Sequence, residues 1–134
     1  MGEFLVEYAR SIPVAWQDFL IVPVPLSQGR RNQRGFNQSQ LIAEVFAKSL
    51  GIEMSKENLV RIKNTPPQSE INNFDKRMKN VEGVFKVLNP LKFGNRKIVL
   101  VDDVTTSGAT LKEATSVIKS CHPKNMLALT VARA

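Results

Sequence analysis

The chain has 134 residues, of which 43% are hydrophobic and 23% charged, a composition typical of one soluble globular domain with a core of its own. No apolar run approaches the roughly 20 residues of a membrane-spanning helix, residues 1–20 lack the apolar segment of a secretory signal, and a single cysteine excludes an internal disulfide or a multi-cysteine metal site. These features predict a cytoplasmic protein without membrane insertion, and the net charge of +7 favours anionic partners such as phosphorylated metabolites, nucleic acid or acidic proteins.

The first third of the chain predicts a helix, a strand and a basic loop. Apolar residues at helical spacing predict a short helix that ends before Pro13, and Trp16 and Phe19 are predicted to contact a core or a neighbouring segment. Residues 20–25 predict a buried strand that runs into a loop. The loop at 26–35 carries a dense group of arginines and is either solvated or anion-binding, because open α/β sheets place ligands where strands end.

The clearest helix signal covers residues 36–50. Asn37 followed by Gln40 predicts a capping box, and Gly51 stands where a helix-terminating glycine is expected. The side chains predicted to form the apolar stripe toward the core are Leu41, Ile42, Val45, Phe46 and Leu50.

The middle of the chain predicts short elements around a long loop. Residues 58–62 and 84–88 predict strands, the second at a sheet edge, and residues 75–80 predict a short charged helix. Residues 63–75 are either a functional loop, such as a lid, or plain surface. With a last strand predicted at 126–131, strands alternate with helices, which predicts an α/β domain with a mainly parallel sheet.

The most informative stretch runs from Ile98 to Thr110. Four aliphatic residues predict a strand buried on both faces, two aspartates follow at its expected end, and residues 108–120 have helical spacing. The turn before that helix offers backbone N–H groups and a positive helix end, which predicts an anion site that Gly108 lets a ligand approach closely. Asp102 and Asp103 repel each other and need donors or a cation. A ligand with both a phosphate and a diol, a sugar phosphate, satisfies these requirements.

Other known chemistries lack their motifs in this sequence. The Walker pattern GxxxxGK[ST], the dinucleotide fingerprint GxGxxG and the nucleophile elbow GxSxG are absent. Adjacent acids also occur in receiver-type signalling domains, but near the start of the chain. Cys121 is predicted to lie in the core, and His122, which precedes Pro123, is interpreted as a cap or a solvent-facing residue.

Val99 to Leu111, VLVDDVTTSGATL, resembles the phosphoribosyl-pyrophosphate (PRPP) motif of type I phosphoribosyltransferases. Five further stretches resemble the ComF branch of that superfamily, and the likeness covers nearly all of residues 20–134; they are Val22 to Leu26, Arg34 to Gln38, Thr65 to Gln68, Arg77 to Phe85 and Thr130 to Arg133. The resemblance implies the type I phosphoribosyltransferase fold, a central mainly parallel sheet flanked by helices, with residues 63–75 as a flexible active-site loop. Residues 20–134 would be the transferase domain, and residues 1–19 a linker or a helical remnant of the family's hood.

The resemblance also implies roles for particular residues. Asp102 and Asp103 would be the catalytic pair that holds the ribose 2′ and 3′ hydroxyls. The loop implied to bind the 5′-phosphate is Thr105, Thr106, Ser107, Gly108, Ala109 and Thr110. The loop implied to bind pyrophosphate contains Arg30, Arg31, Arg34 and Gly35. Mg²⁺ would arrive bound to PRPP rather than sit in a protein cage.

The implied function is transfer of the phosphoribosyl group from PRPP to an unidentified nitrogen acceptor, in a family associated with competence for DNA uptake. The alternative is a non-catalytic module that senses PRPP or a nucleotide 5′-phosphate and acts through competence-machinery proteins. Direct nucleic-acid binding is a third interpretation, which rests on net charge alone. ComF-like proteins usually begin with a cysteine-rich zinc finger, which this sequence lacks. The sequence is therefore either the transferase domain of a longer protein or a member without that segment.

Overall fold

The computed structural model describes residues 15–25, 37–62, 83–105 and 108–133, with residues 104, 105 and 131–133 described by their backbone. The predicted helix before Pro13, the arginine loop at 26–35 and the segments at 63–75 and 75–80 lie outside the described residues.

Six strands and two α-helices occur in the described part of the chain. The strands are β1 (Phe19–Pro23), β2 (Glu53–Met54), β3 (Leu59–Arg61), β4 (Phe85–Val87), β5 (Lys97–Thr105) and β6 (Asn125–Arg133). The helices are α1 (Gln38–Leu50) and α2 (Ala109–Lys119), with single 3₁₀ turns at Trp16–Asp18 and Pro90–Lys92. Neither of the described helices is long and apolar enough to cross a membrane.

The main sheet is four-stranded and wholly parallel, in the order β2-β1-β5-β6. Strand β5 therefore lies in its interior, with Val99 opposite Ile21 on one side and Leu127 on the other. Strand β4 pairs antiparallel with β3 in a separate two-stranded sheet rather than at the edge of the parallel one. The predicted α/β class with a mainly parallel sheet is confirmed.

Two apolar clusters cover the two faces of β5. Ile98 and Leu100 belong to the cluster that contains Ile118 of α2, whereas Val99 and Val101 belong to the cluster that contains residues of α1. This alternation follows from the two-residue repeat of a strand. The prediction of a strand buried on both faces is confirmed. Trp16 is also buried, with its ring 5.3 Å from that of Phe46, so the predicted core contact at residue 16 is confirmed.

Helix α1 begins and ends as predicted but turns a different face to the core. Gly51 ends the helix in the left-handed conformation, at φ +67°. The buried residues are Ser39, Ile42, Ala43, Phe46 and Ala47. The predicted stripe was wrong at Leu41 and Val45, which are 43% and 37% exposed. The two alanines take their place, because small side chains let α1 pack closely on the sheet.

The predicted capping box was wrong in its second half. Asn37 does cap α1, since its Oδ1 accepts a hydrogen bond from the backbone N–H of Ser39 at 3.0 Å. Gln40, however, donates to Glu44 one turn along the helix at 3.2 Å instead of reaching back to the cap.

Strand β5 is longer than the sequence predicts, and the two aspartates lie within it rather than after it. Its pairing with β6 continues through Asp102, opposite Thr130, to Thr105, opposite Arg133. The backbone pairing of β5 with β6 thus continues beyond residue 101, where the aliphatic side chains end and the polar ones begin.

The end of α2 agrees with the sequence in broad terms. Cys121 is half-buried against the cluster that contains Ile118. His122 is exposed and has a positive φ of 59°, as suits a residue that ends a helical segment.

Candidate functional site

The candidate site lies at the carboxyl end of the parallel sheet, where β1 and β5 end and both helices begin. The backbone N–H of Val24 donates to the carbonyl of Val101 at 2.9 Å, which continues the pairing of β1 with β5 beyond Pro23. The side-chain amide of Asn37 donates to the carbonyl of Val24 at 3.2 Å. The first turn of α1 is therefore fixed to this end of the sheet, which is where open α/β folds bind ligands.

Asp102 is the buried member of the acidic pair. Its residue is 7% exposed, and its Oδ1 accepts two hydrogen bonds, from Ser39 Oγ at 3.0 Å and from the backbone N–H of Asp103 at 2.9 Å. Burial, and after it the neighbouring charge of Asp103, raise the pKa of Asp102 from 3.8 to about 6, although the bonds from the Asp103 N–H and from Ser39 oppose the rise.

Asp103 is half-buried, so the two carboxylates differ in their surroundings. Asp102 is held from within the protein, and Asp103 is the member of the pair that retains more exposed surface. Two adjacent carboxylates with different exposure can divide their work: the buried one fixes the geometry of the strand end, and the more exposed one accepts hydrogen bonds from a ligand.

Gly108 begins α2 in the left-handed conformation, at φ +79°, and no side chain caps the helix. A Cβ placed on Gly108 would meet no atom within 4 Å, so the backbone conformation, rather than crowding, favours glycine there. The helix N-terminus lies where β5 ends and carries the positive end of the helix dipole. This arrangement suits an anion.

The structure places six of the predicted site residues between the last residues of β5 and the first turn of α2. They are Asp102, Asp103, Gly108, Ala109 and Thr110, together with the backbone of Thr105. Thr106 and Ser107 of the same loop, and Arg30, Arg31, Arg34 and Gly35 of the predicted pyrophosphate loop, lie outside the described residues.

Comparison with known proteins identifies the family. Residues 38–134 match the family model described as phosphoribosyl transferase domain. The chain belongs to this family. It is also 31% identical over 115 residues to Competence protein F of Haemophilus influenzae (85% of this chain, 50% of that protein). It is 34% identical over 98 residues to DNA utilization protein YhgH of Escherichia coli strain K12 (73% and 42%).

These relatives place the chain in the ComF-like branch of the type I phosphoribosyltransferases, as the sequence motifs predict. The chain spans about half the length of the curated relatives it matches. Its fold is similar to that of a purine phosphoribosyltransferase from Pyrococcus horikoshii Ot3, with a TM-score of 0.58 and 17% identity, over 98% of this chain and 68% of the other. The predicted type I phosphoribosyltransferase fold is confirmed.

Some residues that support the acidic pair were not predicted from the sequence. Ser39 is the main example: it is 1% exposed and donates to Asp102. A signal was available, because Ser39 precedes Ile42 by three residues and Ala43 by four, so it continues the buried face of α1 by one turn. A hydroxyl on a buried helix face requires a partner.

Arg61 is a second residue that sequence analysis did not single out. It ends β3, its Nε donates to the carbonyl of Pro25 at 3.4 Å, and its guanidinium lies 5.0 Å from the centre of the Phe85 ring. This brings a cation of the small antiparallel sheet to the point where the predicted pyrophosphate loop leaves the main sheet. Nothing in the local pattern at residues 58–62 predicts that contact.

A cavity of about 550 Å³ lies elsewhere, at the amino end of the parallel strands. It is lined by side chains that include Leu20, Glu53, Asn58 and Arg96. Arg96 and Glu53 pair across 3.0 Å within it. None of the predicted site residues lines this cavity, so its position does not change the assignment of the site to the carboxyl end.

Proposed function

We propose that this chain binds PRPP together with Mg²⁺ and transfers its phosphoribosyl group to a nitrogen acceptor. The observation that carries the proposal is the unequal acidic pair at the end of β5, followed directly by the helix N-terminus at Gly108. The acids suit the ribose hydroxyls and the helix end suits the 5′-phosphate. Membership of the phosphoribosyl transferase domain family supports the assignment.

Magnitudes favour a ribose phosphate over a simple anion. Hydrogen bonds that involve a charged group contribute roughly 1.5–3 kcal/mol each, whereas a helix dipole alone contributes about 0.3–1 kcal/mol at an exposed site. The acidic pair therefore offers hydrogen bonds to a ribose diol that a simple anion could not form, and the helix end orients the phosphate. The residues proposed for the 5′-phosphate are Thr105, Thr106, Ser107, Gly108, Ala109 and Thr110, and those proposed for pyrophosphate are Arg30, Arg31, Arg34 and Gly35.

The described residues fit a magnesium ion that the ligand carries. Mg²⁺ prefers oxygen ligands and is commonly bound through one or two carboxylates together with substrate phosphates, which matches a site offering Asp102 and Asp103. The pyrophosphate and the ribose hydroxyls would supply most ligands, with the acidic pair next to those hydroxyls. When bound, Mg²⁺ neutralises charge on the pyrophosphate.

In the proposed transfer, the nitrogen lone pair forms a bond to C1′ of the ribose. The bond from C1′ to the pyrophosphate oxygen breaks, its electron pair leaves with pyrophosphate, and the proton lost by nitrogen passes to solvent. Positive charge develops on the ribose ring because the bond to pyrophosphate breaks ahead of the formation of the bond to nitrogen. The protein contributes by positioning the ring through its hydroxyls and by placing negative charge near the developing cation.

Calorimetric titration with PRPP and Mg²⁺ tests the binding step. We expect the parent to bind and Asp103→Asn to bind at least tenfold more weakly, because it loses a charged acceptor for the ribose hydroxyls. Asp18→Asn is the matched control, since this carboxylate is 62% exposed at the other end of the sheet, 3.7 Å from Lys97. Absence of binding by the parent, or equal affinity of the parent and Asp103→Asn, would overturn the proposal.

Pyrophosphate release with a panel of nitrogen nucleophiles tests the transfer step. The names of the relatives, a competence protein and a DNA utilization protein, support a role for the reaction or its ligand in the use of incoming DNA. Tight binding of PRPP without release of pyrophosphate with any acceptor would favour the non-catalytic sensing module. Nucleic-acid binding with a steep salt dependence would favour a direct contact with DNA.

A further inference from the structure

Asp102 depends on a residue that is distant in the sequence. Ser39 lies on α1 and precedes Asp102 by 63 residues, yet its hydroxyl donates to Asp102 Oδ1 at 3.0 Å in a buried setting. Ser39 is also fixed itself, because its backbone N–H donates to the capping oxygen of Asn37. The amide of Asn37 in turn donates to the carbonyl of Val24. A continuous set of hydrogen bonds thus joins the end of β1, the start of α1 and the acid on β5.

We propose that Ser39 is a positioning residue of the ribose-hydroxyl site, which fixes the Asp102 carboxylate so that the acidic pair presents one geometry to the ligand. The inference rests on the proposed function, since it concerns how the site binds a ribose phosphate. Three observations support it: the Ser39 hydroxyl is buried, its donor bond is directed at a site acid rather than at a helix carbonyl, and Asn37 fixes its backbone.

The geometry explains why a hydroxyl is needed at position 39. A serine in a helix commonly bonds a backbone carbonyl of the preceding turn, but Ser39 is the second residue of α1, so no helical turn precedes it. Its hydroxyl is therefore available to a neighbouring element. The positive end of the helix points the same way, so both the hydroxyl and the helix dipole favour a negative group at the Asp102 position.

Fixing Asp102 also orders Asp103. The backbone N–H of Asp103 donates to the same oxygen, Asp102 Oδ1, at 2.9 Å. Loss of the Ser39 donor would leave Asp102 Oδ1 with the bond from the Asp103 N–H and would allow the carboxyl group to rotate about the side chain. Rotation would weaken the bond from the Asp103 N–H and loosen the strand end that carries the second acid. The effect should therefore concentrate on the part of the ligand that meets the acids, namely the diol.

The test compares two ligands that share a phosphate and differ by one hydroxyl. Ribose 5-phosphate and 2-deoxyribose 5-phosphate are titrated into the parent, Ser39→Ala and Ser39→Thr. We expect Ser39→Ala to bind ribose 5-phosphate about tenfold more weakly, as is common when the support of a ligand-binding group is removed. The loss for 2-deoxyribose 5-phosphate should be smaller, so the preference for ribose falls. Ser39→Thr keeps the hydroxyl and should recover most of that preference.

Ser116→Ala is the matched control, because it makes the same change at an exposed position of α2 and should leave both affinities unchanged. Each variant is first checked for cooperative unfolding. Equal losses for both sugars, or parental affinity in Ser39→Ala, would overturn the inference while the proposed function stands. A parent that binds neither sugar phosphate nor PRPP would overturn the proposed function itself, and the inference with it.

Discussion

The most informative single substitution is Asp102→Asn, because it separates the stability of the fold from the demands of the site. Burial and the adjacent charge of Asp103 raise the pKa of Asp102 from 3.8 to about 6. One pKa unit corresponds to about 1.4 kcal/mol. Ionising this buried acid therefore costs the folded state about 3 kcal/mol at pH values well above 6.

The sign of the pH dependence follows from the direction of the shift. Between pH 4 and 6 the folded state holds a proton on Asp102 that the unfolded chain has already lost. Stability from this group is therefore fully present below pH 4 and declines as pH rises through about 6. An asparagine does not titrate, so the free energy of unfolding of Asp102→Asn minus that of the parent should rise over this range and then become constant.

The contacts of Asp102 set the constant difference in free energy of unfolding that Asp102→Asn and the parent should reach at high pH. The asparagine Oδ1 can accept the bonds from Ser39 Oγ and from the N–H of Asp103 that Asp102 accepts now. Its amide group, however, adds a buried donor, and an unsatisfied one costs at least about 1 kcal/mol. The net gain of Asp102→Asn at pH 8 should be about 2 kcal/mol, with weaker binding of PRPP as the counterpart of the gain.

Urea unfolding at pH 4 and pH 8, followed by the fluorescence of the single tryptophan, measures this difference. Trp16 is buried against Phe46, so its emission should report loss of the core. Asp18→Asn serves as the control, since removal of an exposed ion pair changes stability by at most about 1 kcal/mol. A difference between Asp102→Asn and the parent that stays constant from pH 4 to pH 8, or a variant less stable than the parent at pH 8, would refute the reasoning.

Two further predictions concern residues that begin or end the two helices. Gly108→Ala and Gly51→Ala each place a Cβ on a residue with positive φ and open space around it. Both variants should therefore lose about 1 kcal/mol of stability in urea unfolding. Only Gly108→Ala should weaken ribose 5-phosphate binding, and equal binding losses would contradict the assignment of the phosphate site. Asn37→Ala loses the helix cap and should lower the free energy of unfolding by about 1–2 kcal/mol. Asn37→Asp keeps the capping oxygen and loses only the donor to the Val24 carbonyl, so its loss of stability in the same assay should be smaller. Equal losses would exclude capping as the main role of Asn37.

The fold could be predicted from the sequence where local pattern decides it. The aliphatic run at 98–101 is buried on both faces, and Asn37 and Gly51 bound α1, because alternation, capping and left-handed glycine depend on neighbours within a few residues. The face of α1 was less predictable. Leu41 and Val45 are the larger side chains, but close approach to the sheet favours the side with Ala43 and Ala47.

The candidate site also has features that local sequence predicts and features that depend on distant residues. The motif from Asp102 to Thr110 predicts a ligand class, a sugar phosphate, because the residues that carry this chemistry are contiguous in sequence. The length of β5 and the burial of Asp102 cannot be predicted from that motif. A polar pair at a strand end normally indicates exit into solvent, but Asp102 stays inside the sheet, where a donor 63 residues away in the sequence offsets part of the cost of its burial. The two acids therefore look equivalent in the sequence and become different only when α1 packs against β5.

This dependence on α1 indicates how the site and the fold constrain each other. The helix begins after the segment that carries Arg30, Arg31 and Arg34, and its first turn is bonded both to the end of β1 and to the acid on β5. Any ligand that holds the predicted arginine loop with its pyrophosphate and Asp103 with its ribose would therefore act on two segments that Ser39 and Asn37 already connect. Changes in the first turn of α1 should consequently alter ligand binding more than changes of similar energetic cost at its last turn.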